Sequence, residues 1–157
     1  MKFLKLLPAA LALAVATGCS TVNVLNPNSA EGQKASSFES APDRAVVYVY
    51  RDRASHFGAF ALNLKVNGDN VSTSPACYKR IEFQPGTVTL EATHPDMFGS
   101  QQEITVPLIV GDVKVYEFRP IARFGLPGES KLLEVSTAAG KALVANQHLC
   151  VLETLVY

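Results

Sequence analysis

Apolar and polar residues alternate with a period of two along most of the chain from Ala45 onward. Val46-Val47-Tyr48-Val49-Tyr50 is an unbroken β-branched and aromatic run, the pattern of a strand buried on both faces. Leu62, Leu64 and Val66 alternate with Asn63, Lys65 and Asn67, which predicts a half-buried strand. Asn67-Gly68-Asp69 then supplies residues that tolerate positive φ, so a hairpin turn and a short returning strand from Val71 follow. Ile81 and Phe83, then Val88, Leu90 and Ala92 beyond the Pro85-Gly86 turn, then Ile104 and Val106 continue the alternation. Gly111-Asp112 separates these from a strand over Val113 to Phe118. Some seven short strands at this spacing predict a mainly β domain, an antiparallel β-sandwich or small barrel. Ser136 or Thr137 is placed to cap one short C-terminal helix, with Ala138, Ala142, Ala145 and Leu149 on its predicted buried face. Gly140 weakens that helix, and Leu149 to Val156 reads as a last strand or as more helix. No internal repeat and no second domain is evident.

The N-terminus has a different pattern. Lys2 and Lys5 flank a short positive start, and Leu6 to Ala16 is an apolar run. A helix needs about twenty apolar residues to span a bilayer. This run is shorter and has the layout of a secretory signal peptide, residues 1–18. Ala16-Thr17-Gly18-Cys19 resembles a bacterial lipobox, although Ala16 stands where Leu is commonest. The resemblance implies cleavage before Cys19, diacylglycerol on its thiol and a palmitate-type acyl group on its amine. Ser20 after the cysteine implies sorting to the outer membrane, with the domain facing the periplasm. The membrane and the lipoprotein maturation and sorting machinery are then expected partners, and no cofactor beyond the covalent lipid is expected. Residues 19–42, rich in Asn, Ser, Ala and Gln, read as the lipidated cysteine and a flexible tether, and residues 43–157 as the domain.

Charge narrows the function classes. Lys plus Arg and Asp plus Glu both number 14 in the 157 residues, so the chain lacks the basic footprint of a nucleic-acid binder. Loss of Lys2 and Lys5 leaves the mature chain slightly acidic. The segment Val47-Tyr48-Val49-Tyr50-Arg51, then Val66-Asn67-Gly68, Val71, Tyr78 and Phe83-Gln84-Pro85-Gly86 resembles the DUF2846 family of small bacterial lipoproteins. It is also similar, more loosely, to PEGA-like surface sandwiches. The resemblance covers Ala45 to Ala92 and implies a β-sandwich on a lipid anchor, with no catalytic residue to carry over.

Candidate chemistry is sparse. Cys77 and Cys150 remain once Cys19 is lipidated, either as a disulfide favoured by an oxidising compartment or as two separate buried thiols. His56, His94 and His148 are scattered, without the spacing zinc needs, so no metal site is expected. Gly128-Glu129-Ser130 does not imitate a nucleophile elbow, no glycine-rich phosphate loop occurs, and Glu91 and Glu103 fall on polar faces. No catalytic residue is assigned. Two loops are candidates for binding: Arg51, Arg53, His56 and Phe57 after the first strand, and the segment with Arg123 and Phe124 after Arg119. If they share one end of the sandwich, that end is the expected binding surface. The first expectation is a non-enzymatic binding or adaptor domain with an envelope protein as partner. The alternative is a periplasmic small-ligand or glycan-binding domain, with Tyr48, Tyr50, Tyr78 and Tyr116 lining its pocket. A hydrolase with an unfamiliar site ranks last.

Overall fold

The structure, a computed structural model, describes residues 22–157. The expectations for residues 1–18, Cys19 and Ser20 fall outside the described residues. In chain order the elements are α1 (Ala30–Ser37), β1 (Ala45–Arg51), β2 (Leu62–Val66), β3 (Asp69–Thr73), β4 (Cys77–Phe83) and β5 (Gly86–Ala92). They continue with β6 (Gln102–Leu108), β7 (Val113–Ile121), β8 (Glu129–Val135), α2 (Thr137–Asn146) and β9 (Cys150–Val156). A five-stranded sheet of order β8-β7-β1-β4-β9 faces a four-stranded sheet of order β3-β2-β5-β6, forming a β-sandwich. Alternation along each strand explains the layering. Val47 and Val49 of β1 join Leu64, Val66, Leu90, Val106 and Phe118 between the sheets. Val46, Tyr48 and Tyr50 point the other way and meet Ala35, Phe38, Val144 and Leu149 from the helical layer. β1 is buried along its whole length because both of its faces are covered.

The structure corrects the sequence reading at four places. The five-stranded sheet is mixed rather than antiparallel: β7 runs parallel to β1 and β9 parallel to β4. Parallel neighbours need crossovers. The second sheet supplies the first, and α2 carries the chain across the helical face from the β8 edge to the β9 edge. Strand β8 is an addition; of the two readings open for the last segment, the strand is the one formed, as β9.

The tether reading does not hold for residues 23–41. Val24 bridges to Leu152, Ser29 caps α1 by accepting from Gly32 N–H at 3.0 Å, and Ala35, Phe38 and Ala41 are buried. Phe38 stacks on Tyr48 with ring centroids 4.1 Å apart. Arg80 donates to Glu39 O at 2.9 Å and to the Tyr48 hydroxyl, and Lys34 pairs with Glu82 at 2.7 Å. These contacts clamp α1 onto the sheet.

The buried face of α2 is also rotated from the expected one. Ala138, Ala142 and Ala145 are exposed, whereas Gly140 and Val144 are buried. A Cβ at Gly140 would lie 2.6 Å from Val115 Cγ1, so this glycine sets how closely the helix approaches the sheet. Cys77 and Cys150 are disulfide-bonded. They are register partners on parallel β4 and β9, with Cα atoms 4.3 Å apart and a sequence separation of 73. The loop-entropy model gives up to about 4 kcal/mol for closing a loop of this size.

Candidate functional site

The register places the end of β1, the end of β5, the start of β6, the end of β7 and the start of β8 at one end of the sandwich. Three long connections therefore share that end: residues 52–61, 93–101 and 122–128. The two loops picked from sequence do meet, since Ala122 N–H donates to His56 Nδ1 at 3.3 Å.

Their side chains have different roles from the ones expected. Arg51 is fully buried, not a surface contact. Its guanidinium donates to Phe60 O at 2.8 Å and Phe57 O at 3.2 Å and lies 5.9 Å from the Phe118 ring centroid. Burial pushes it down to about 10, well below the ordinary guanidinium range. Arg51 thus fastens loop 52–61 from beneath. Arg53 is exposed but engaged, donating to Gln147 O at 2.9 Å and His148 O at 3.2 Å beyond the end of α2. Phe57 is half-buried with φ +57°, its ring set edge-on to His94 at 5.4 Å. Arg123 pairs with Glu129 at 2.6 Å, and Phe124 is entirely exposed.

The third loop was not foreseen, and it brings the residue that ties the end together. His94 is buried, and its Nδ1 accepts from Asp96 N–H at 3.2 Å. Its ring lies against Gly99 on one side and Gly128 on the other, where any Cβ would run into it. Ser100 N–H donates to Gly128 O and Ser130 N–H to Ser100 O, both at 2.9 Å. One imidazole and two glycines therefore lock loop 93–101 to loop 122–128, while Phe57 joins the third loop to them. Met97 and Phe98 project from this platform, as do Phe124 and Leu126 across from them and Phe60 beside. The apolar pair Met97-Phe98 inside a turn segment containing Pro95 and Gly99 was the available sequence signal.

Two shallow concavities lie here. One, of about 280 Å³, is lined by Asp52, Ser55, His56, Glu117 and Arg119 among others. The other, of about 330 Å³, lies between loops and is lined by Asp96, Met97, Phe98, Gly125, Leu126 and Pro127. Arg51 Nε, Ser55 Oγ, His94 Nε2 and Ser130 Oγ are buried without a protein partner, and all four belong to this end. Among the described residues no three His, Cys, Asp or Glu side chains gather where a metal would sit. Neither buried serine hydroxyl has a base in hydrogen-bond reach. The tyrosines expected to line a ligand pocket are instead buried, Tyr48, Tyr50 and Tyr78 beneath the helices and Tyr116 between the sheets; Tyr78 also lines a surface groove. Compared with family models, with curated proteins and with solved structures, the chain matches none.

Proposed function

We propose that this chain is a non-enzymatic binding domain of the cell envelope, anchored in the outer membrane through a lipid on Cys19. It docks an envelope protein through the loop end. The observation that carries this reading is the convergence of Phe60, Met97, Phe98, Phe124 and Leu126, all exposed, on three interlocked loops at one end. An apolar cluster held on a rigid scaffold and rimmed by charges is the usual form of a protein contact surface.

The path of the chain supports it. Leu25 N–H donates to Val151 O, and Glu153 N–H donates to Asn23 O. Traced backward, the chain therefore runs along edge strand β9 away from the loop end. Loop 122–128 springs from the opposite edge of the same sheet. Only Ser20 and Thr21 separate Cys19 from the described residues. A lipid on Cys19 would hold the domain by the corner diagonal to the loops, leaving them outermost.

The test places a photoreactive amino acid at Phe98, and separately at Ile109 at the other end, in the intact envelope. Adducts to protein are expected from Phe98 and not from Ile109, and a Cys19→Ser variant should leave the membrane fraction. Equal adducts from both positions, or none from either, would overturn the reading.

A further inference from the structure

We infer that the protein docked at the loop end is a second copy of this chain, paired about a two-fold axis through the cleft between loops 93–101 and 122–128. This rests on the reading of that end as the docking surface and names its partner. A two-fold interface requires one patch to carry both halves of every contact, and this patch does. It offers projecting side chains, Phe98 and Phe124, and a cleft of about 330 Å³ walled by Met97, Leu126 and Pro127 to receive them.

The charges follow the same rule. Asp96, on one wall, has a half-exposed carboxylate that lies 3.6 Å from His94 Nδ1, the atom that accepts the Asp96 N–H, and among the described residues it makes no ion pair with a lysine or arginine. On the other side Arg123, of loop 122–128, and Lys131, of β8, share the single carboxylate of Glu129, at 2.6 and 3.1 Å, so that this cluster carries a net positive charge. Turning a second copy by half a turn sets each Asp96 opposite the other copy's Arg123, twice over. A neutral bilayer has no counterpart for two opposed charges, and an anionic one would meet Asp96. A copy of the same patch supplies both the apolar and the charged complement.

The test uses the full chain in its membrane with the photoreactive group at Phe98, reading the adduct at twice the chain mass. Asp96→Arg and Arg123→Asp are each expected to lower that adduct about tenfold, since facing like charges are strongly unfavourable. The double variant should restore it to within about twofold of the parent. Asp96→Lys with Arg123→Glu repeats the exchange with other side chains, and an unchanged melting temperature verifies folding. A double-mass adduct indifferent to the reversals, or not restored by either exchange, would overturn the inference. Adducts of other masses with no double-mass species would also overturn it, while leaving the loop end as a docking surface. No adduct of any mass from Phe98 would sink both.

Discussion

Arg51, a candidate binding residue by sequence, serves instead to hold loop 52–61 from beneath. It is a cation with no exposed surface, and its hydrogen-bond acceptors are two backbone carbonyls rather than a carboxylate. Burial lowers it to about 10. The folded state therefore carries a desolvation cost on the order of 3 kcal/mol at neutral pH. That cost fades only as pH rises through the folded value toward the higher value of the unfolded chain. Arg51→Met keeps most of the buried stem and removes the charge. Global stability is expected to stay within about 1 kcal/mol of the parent or to rise. Amide hydrogen exchange at Phe57 to Phe60 should speed up, because that loop loses its two guanidinium contacts. A fall of more than about 3 kcal/mol in denaturant unfolding would show instead that these contacts outweigh the desolvation cost.

At the scale of elements, legibility followed period. Strands with clean alternation, such as Leu62–Val66 and Gly86–Ala92, could be read directly because one face of each is buried. Helix α1 could not. It has eight residues, and among them only Gly32 and Ala35 are buried, both too small to mark an apolar period among polar neighbours. Its anchor, Phe38, lies just past its end with φ +57°, where no helical pattern would place it. For α2 the small residues misled, since glycine packs closest and the alanines face solvent. Loops 52–61 and 122–128 were visible as irregular segments, but their joining through His94 depends on contacts remote in sequence. The docking of α1 can be tested at Phe38, which is buried against Tyr48 and Tyr78. Phe38→Ala should cost about 3–4 kcal/mol in chemical unfolding and deprotect the α1 amides. A tether lying loosely on the sheet would lose almost nothing.

At the scale of the whole molecule, the two cores differ in what they bury. The inter-sheet core is almost entirely aliphatic and aromatic hydrocarbon, with Tyr116 at its margin, whereas the helix-facing core holds Tyr48, Tyr50 and Tyr78. Burial pushes Tyr50, Tyr78 and Tyr116 each up to about 12 from an ordinary 10, with Glu117 adding to the effect on Tyr50 and Glu134 on Tyr116. The unfolded chain ionises these phenols first, so it binds fewer protons than the folded state between the two values. Their contribution is intact below pH 10 and is lost as pH rises toward 12, on the order of 2 kcal/mol for each phenol. Because these rings sit on both sides of the five-stranded sheet, loss at one face cannot be isolated from the other. Alkaline denaturation is therefore expected to be one cooperative step, with phenolate absorbance and far-ultraviolet circular dichroism changing together. Tyr50→Phe should move the midpoint to higher pH by removing one of the linked protons. A phenolate signal that rises near pH 10 while the fold persists would mean that these rings are open to solvent.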